Sequence, residues 1–184
     1  SALAASEQRL RACIESTPYV AVQWVDAEGR VVYWNPASEL IFGWSSVEAL
    51  GRKLDDLIHT PEEVEQFQTE LREVAASGTV KGPAEYRFRR KDGTIGTCLS
   101  TIFPIPDENG HPRFACMDVD ITQRQRAERF MVGQTSILEL VSRDAPLPVL
   151  LEQVVRFVRL ARAADRQHSL PRTQESADPL PEFV

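Results

Sequence analysis

The sequence has too little cysteine to be held together by disulfides. Cys13, Cys98 and Cys116 are the three in 184 residues, and none falls in a C-x-x-C or similar spacing. That argues against a disulfide framework and a cysteine metal site, and no metal is expected. It also favours a reducing compartment, so the expected setting is cytoplasmic. Histidine is equally sparse: His59, His111 and His168 stand apart from one another. No apolar run is both long and uncharged enough to suggest a transmembrane helix. The chain opens Ser1-Ala2-Leu3-Ala4-Ala5, without a start Met or a basic-then-apolar leader. It therefore reads as an internal or processed piece rather than a secreted precursor. The net charge of -6 argues against nucleic acid or anionic membrane as the main partner. No phosphate loop, Ser/His/Asp arrangement or metal-ligand cluster is legible, so the fragment itself is not expected to be an enzyme. Asp55 and Asp56 read as a linker, and Glu62, Glu63, Glu65 and Glu70 as the caps and solvated face of one helix.

What is present is an ordinary globular composition, 42% hydrophobic and 26% charged, enough for one domain plus appendages. Ser6–Ser16 places Leu10, Cys13 and Ile14 at helical spacing, an amphipathic helix suited to capping a core or a dimer. Tyr19–Val25 and Arg30–Trp34 flank Asp26-Ala27-Glu28-Gly29, the pattern of a β-hairpin. Asn35-Pro36 then stops the second strand and opens a helix, with Asn35 as N-cap and Pro36 at the first position. Gly43 ends that helix, and Ser45–Glu48 offers a capping box for another. Lys53–Ile58 reads as a linker. Thr60-Pro61-Glu62-Glu63 starts a longer helix with Val64, Phe67, Leu71 and Val74 on one face.

Three strands follow. Ala84–Arg90 alternates Tyr86 and Phe88 against charges, and Lys91-Asp92-Gly93 turns the chain. Thr94–Ile105 carries Leu99 and Phe103 on one side. Arg113–Ile121 sets Ala115, Met117, Val119 and Ile121 against Cys116, Asp118 and Asp120. Pairing across the Asp107–Gly110 turn puts Cys116 near Thr101 or Phe103. Parity then turns Cys98 and Cys116 to opposite faces and argues against a disulfide between them.

From about Ser6 to Glu128 the chain resembles a PAS domain. The resemblance rests on the Val20–Asn35 hairpin with Asp26 and Gly29, Asn35-Pro36-Ala37 with Gly43-Trp44, and Leu50-Gly51-Arg52 with Leu57-Ile58-His59. It rests also on Arg90-Lys91-Asp92-Gly93 and on Asp120-Ile121-Thr122. It implies an α+β PAS fold: a five-stranded antiparallel sheet in the order 2-1-5-4-3, short helices on one face around a pocket, and flanking N- and C-terminal helices. The expected organisation is an N-terminal helix at 1–16, the PAS domain at 17–122, an exit helix and second helical segment at 123–160, and a disordered tail at 161–184. Asn35, Gly43 and Gly93 are the expected structural residues.

The resemblance also frames the ligand question. Cysteinyl-flavin PAS domains place a reactive Cys where Ser45–Lys53 has none, and haem PAS domains use a His on the long helix, where Pro61–Ala76 has none. Redox-flavin relatives usually place a Trp before the third strand, and Thr79–Ala84 lacks it. Haem and flavin are thus disfavoured, and no cofactor is expected. Gln23, Tyr33, Thr97 and Thr101 are candidates to point into the pocket, with Trp44, Leu99 and Met117 among its walls. They would hold a small molecule, or else satisfy one another or buried water.

Asp120, Ile121 and Thr122 are expected to tie the last strand to the exit helix and transfer signal. That helix carries Ile121, Ala127, Met131, Leu138 and Val141 near heptad spacing, interrupted at Gln134 and weakened at Gly133. Ser136–Leu160 reads as a second apolar helix resembling a truncated GAF start. The expected function is a sensory or regulatory PAS module of a cytoplasmic signalling protein. It would pass ligand or conformational state to a downstream effector, a histidine kinase or a cyclic-di-GMP enzyme, from a homodimer joined through its N- and C-terminal helices. The alternative is a ligand-free dimerisation or interaction module.

Overall fold

A computed structural model describes residue 9 and residues 12–106, 110–143 and 145–166. Five strands form one antiparallel sheet: β1 (Val20–Asp26), β2 (Val31–Trp34), β3 (Lys81–Arg89), β4 (Ile95–Ile105) and β5 (Arg113–Asp120). Their order is β2-β1-β5-β4-β3, as expected. Four helices lie between β2 and β3: α1 (Pro36–Phe42), α2 (Ser46–Ala49), α3 (Leu54–Leu57) and α4 (Pro61–Ser77). α5 (Thr122–Ser142) leaves the sheet, and α6 (Leu147–Arg166) follows.

The first hairpin closes because Asp26 Oδ1 accepts the N–H groups of Glu28 and Arg30, while Gly29 takes the left-handed φ of 76° that the turn requires. The β3–β4 turn repeats the device, with Asp92 Oδ1 accepting from Thr94 and Gly93 at φ 84°. α1 begins as read: Asn35 caps it through Ser38 N–H and Gly43 ends it in the left-handed region. α2 has the reciprocal Ser45–Glu48 capping box. α4 starts at Pro61, but the Thr60 hydroxyl makes no cap bond, and the Glu63 carboxylate turns instead to Arg87 N–H. The supposed linker at Lys53–Ile58 contains the one-turn helix α3, whose Leu54 and Leu57 are both buried.

One core unites the helices with one face of the sheet. Phe42, Ala49, Leu54, Leu57, Phe67, Leu71 and Val74 pack with Ala21, Val25, Val31, Trp34, Phe88, Cys98, Ile102, Phe114 and Cys116. The β4–β5 register pairs Cys116 with Ile102, one residue from either expected partner. Both cysteines therefore share the core face, correcting the parity reading. They remain free because Cys98 pairs with Asp120, four residues along β5 from Cys116.

The chain divides into two compact units, Ser1–Gln125 and Arg126–Val184. In the second, a Cβ at Gly133 would collide with the Phe157 ring, and Phe130 and Phe157 have ring centroids 4.9 Å apart. The Gly133 that weakens helix propensity is thus a close-contact point between α5 and α6. The apolar segment expected at Ser136–Leu160 is two helices, broken between Ser142 and Leu147. Residues 161–166 of the expected disordered tail continue α6, and the rest of the tail lies outside the described residues. At the N-terminus, residues 12–15 are helical, whereas Leu10 and Arg11 lie outside the described residues.

Candidate functional site

Asn35 organises the site from within. Its side chain is completely buried, and its Oδ1 accepts from Val22 N (2.9 Å), Ser38 N (2.9 Å) and Ser38 Oγ (2.7 Å). Its Nδ2 donates to the carbonyls of Val20 (3.0 Å) and Ile14 (3.2 Å). One side chain thus joins β1, α1 and the N-terminal turn. The polar chain continues inward, since Gln23 Nε2 donates to Ser38 Oγ at 3.2 Å. Gln23 also supports the Asp118 carboxyl beside it.

Asp118 lines a small cavity between α4 and the sheet, with Leu54, Ile58, Phe67, Phe88, Ile102 and both buried cysteines as apolar wall and His59, Glu63, Glu70, Tyr86, Arg87 and Ser100 as polar wall. Its volume is about 30 Å³, room for one or two waters or a ligand of a few heavy atoms. Burial pushes the Asp118 pKa up to about 6, although hydrogen bonds from Ser100 and Gln23 and the charge of His59 pull it down. Across the cavity, Glu70 is buried on α4. Its Oε1 accepts from Tyr86 Oη (2.8 Å) and Gln66 Nε2 (3.1 Å), while its Oε2 is buried without a hydrogen-bond partner. Burial raises both the Cys98 and Cys116 thiols, which makes them inert wall rather than nucleophiles.

The expected pocket residues divide sharply. Gln23 is fully buried on the core face, but it does not line the cavity. Thr97, Leu99 and Thr101 alternate with the buried Gly96, Cys98, Ser100 and Ile102, so they lie on the opposite face of the sheet. Met117 likewise alternates with the buried Cys116 and Asp118 and is 39% exposed. Tyr33 stacks on Trp24, its cross-strand neighbour, with ring centroids 4.8 Å apart. Trp24 precedes the core residue Val25, so this pair is on the outward face too. Trp44 packs against the core, its Nε1 donating to the Leu57 carbonyl at 3.0 Å, but it does not line the cavity.

Inward placement of Tyr33, Thr97, Leu99, Thr101 and Met117 is therefore corrected. The physical reason is strand alternation: Thr97, Leu99 and Thr101 have the opposite parity to Cys98 and Ile102, Met117 has the opposite parity to Cys116, and Tyr33 follows its partner Trp24. Ser100, Asp118 and Glu70 were missed. A carboxylate at strand parity with Cys116 and Phe114 was the available signal, and the α4 pattern assigned Glu70 to solvent.

At the far end of the sheet, the expected signal residues do come together. Asp120 Oδ1 accepts Thr122 N–H at 2.9 Å, and its Oδ2 accepts from Arg90 at 2.7 Å. Thr122 Oγ1 accepts Thr97 N–H at 2.9 Å, and Ile121 N–H donates to the Thr97 carbonyl at 2.9 Å. Arg90 Nε reaches the Ile41 carbonyl, and Lys91 N–H reaches that of Phe42. The start of α5, the start of β4, the β3–β4 turn and the end of α1 are thus tied at one junction. Gly96 is required there, because a Cβ would collide with the Phe88 ring and crowd Thr122 Oγ1.

This arrangement is an α+β fold in which one antiparallel sheet is covered on one face by helices around a small cavity, and residues 14–126 match the family model described as PAS fold. The chain belongs to the PAS family. It is 27% identical over 139 residues to the C4-dicarboxylate transport sensor protein DctS of Rhodobacter capsulatus, covering 75% of this chain and 21% of that protein. It is 25% identical over 144 residues to the sensor protein FixL of Bradyrhizobium diazoefficiens, covering 77% and 28%. The chain thus spans less than a third of the length of either relative. Among solved structures it resembles the PAS domain of a Colwellia psychrerythraea protein, with a TM-score of 0.56 and 28% identity, covering 64% of this chain and 97% of that one.

Proposed function

We propose that this PAS domain is a sensory module whose sheet state is passed through α5 to an effector in a longer cytoplasmic signalling protein, with a histidine kinase or cyclic-di-GMP enzyme as the effector classes. The observation that carries the reading is the Asp120–Thr122 junction, which bonds the first turn of α5 to β4 and, through Arg90, to α1. The likeness to two sensor proteins, DctS and FixL, supports the sensory half. The chain described carries no catalytic role in this reading. The cavity argues for a chromophore-free sensor. Its volume of about 30 Å³ is far below the ~300 Å³ and upward of cofactor sites. Its one histidine, His59, is engaged by Asp55 at 2.8 Å.

A coupling cycle tests the transfer. Ser100→Val disturbs the cavity, and hydrogen exchange in the first turns of α5 reads the response. The expected result is a change in α5 exchange that Asp120→Ala abolishes. An α5 response of the same size with and without Asp120 overturns the reading.

The second reading is a ligand-free dimerisation module. It is favoured by the same small cavity and by the exposed Met131, Leu138 and Val141 on α5 and Leu147, Leu151, Val154 and Val158 on α6. The last four are spaced 4-3-4, the seam of a coiled coil. A homodimer through these terminal helices fits both readings. Truncation at Gln125 should convert the dimer to monomer by sedimentation, and an unchanged dimer places the seam elsewhere.

A further inference from the structure

The cavity holds more acceptors than donors. Glu70 Oε2 is buried and without a partner, on a side chain only 5% exposed. Asp118 stands on the opposite wall, 3% exposed, and Ser100 beside it is nearly as buried. The basic side chains nearby are committed or peripheral. His59 is held by Asp55 and Lys81 by Glu73, while Arg87 is exposed on β3 at the rim. Glu63, which accepts Arg87 N–H, adds a third carboxylate, and the Tyr86 hydroxyl is spent on Glu70 Oε1. A buried carboxylate oxygen without a donor is strongly unfavourable, and a cation that also donates hydrogen bonds relieves both the charge and the lone pair. Water supplies donors but no charge. An anionic ligand would meet three carboxylates at once.

We propose that this cavity is a binding site for a small ligand bearing an ammonium group, received by Glu70 Oε2 between α4 and the sheet, with Asp118 and Ser100 as its opposing acceptors. The volume of about 30 Å³ admits a head group of a few heavy atoms and no more. The apolar wall of Leu54, Phe67, Phe88 and Ile102 would receive a methyl or ethyl substituent. The inference rests on the sensory reading only in taking this cavity as the sensing end.

The experiment is a titration of the full 184-residue chain, followed by amide resonances, with methylammonium, methanol and acetate as separate probes. Methylammonium should give saturable shifts at Glu70, Ser100 and Asp118, with an affinity about tenfold or more above that of methanol, the difference expected of a charge-assisted bond. Acetate should give no saturable shift. Glu70→Gln should weaken methylammonium about tenfold and leave methanol unchanged. Equal affinities for methylammonium and methanol, a saturable acetate response at these residues, or no saturable response to methylammonium overturns the proposal. The three-probe comparison on the unaltered chain stands even if Glu70→Gln fails to fold. Because this titration reads the cavity and the coupling cycle reads α5, failure of one is distinguishable from failure of the other.

Discussion

The two faces of β4 and β5 differ in the opposite sense to a simple amphipathic sheet. The helix-covered face presents Cys98, Ser100, Cys116 and Asp118, with Phe114 and Ile102 as its larger apolar members. The outward face presents Leu99, Thr101, Phe103, Met117 and Val119, of which Met117 and Val119 are exposed. The covered face is small and partly polar because α4 lies close against it and supplies bulk from its own Phe67, Leu71 and Val74. The outward face keeps apolar residues in partial contact with solvent, the composition of a surface that meets another surface. Hydropathy along one strand therefore reports what each face will touch, not which face is inside.

The sharpest way to break that contrast is to place the same charge on adjacent residues of β5. Cys116→Lys buries an ammonium in the core and should cost at least ~4 kcal/mol, enough to prevent folding of a marginally stable domain. Met117→Lys should cost under ~1 kcal/mol, because its side chain can extend into solvent. Denaturant melts of the two variants decide the assignment of faces, and comparable losses would reverse it. Asn35→Ala is next in size. It removes three acceptor and two donor contacts at a fully buried position, leaving Val22 N–H without its side-chain acceptor and Ser38 N–H with only the backbone carbonyl of residue 35. The expected loss is about 3 kcal/mol. Asn35→Asp should lose at least as much, since it keeps the acceptor but sets a second, buried carboxylate oxygen against the Val20 and Ile14 carbonyls.

Asp118 gives the covered face a pH dependence. Its folded pKa of about 6 lies above the ordinary aspartate value of 3.8. Between those values the folded state keeps a proton that the unfolded chain has released. The contribution of this group to stability is therefore full below about pH 4 and lost as pH rises through about 6. The difference is about 3 kcal/mol for this group at roughly 1.4 kcal/mol per pH unit. Asp118→Asn should flatten the stability profile relative to the native chain between pH 4 and 7, and should raise the midpoint of thermal unfolding above pH 7. Parallel profiles for the two chains would show that Asp118 titrates normally.

Much of the fold was legible because its turns and caps are local. Asp26 and Gly29, Asn35 and Pro36, Ser45 and Glu48, and Asp92 and Gly93 each act within a few residues, and each does in space what its spacing implies. The Asp120–Thr122 junction was legible only through family resemblance, since Arg90 and Thr97 meet it from distant parts of the chain. The cavity was largely not legible. Its polar residues depend on which face α4 covers and on a β4–β5 register shifted by one from the expected pairing. A one-residue error in a strand exchanges every side chain between faces. Glu70 looked like part of a solvated helix stripe, and only the packing of Tyr86 against α4 reveals that it is buried.

The smallest expected effect lies where the two faces end together. Thr122 is nearly buried and fits against Gly96, and its hydroxyl oxygen accepts the N–H of Thr97, a residue of the outward face. Thr122→Val keeps the shape and removes that acceptor. Because the neighbouring Ile121–Thr97 backbone bond and the Asp120 cap remain, the loss should be about 1 kcal/mol. The effect should also be local: exchange at Thr97 and in the first turn of α5 should speed up by about fivefold, the factor such a loss implies, while Ala21–Val25 stays unchanged. Acceleration spread evenly over the sheet would mean that Thr122 stabilises the whole domain. An α5 that responds without β4 would mean that the helix is capped by Asp120 alone, and that Thr122 does not couple it to the sheet.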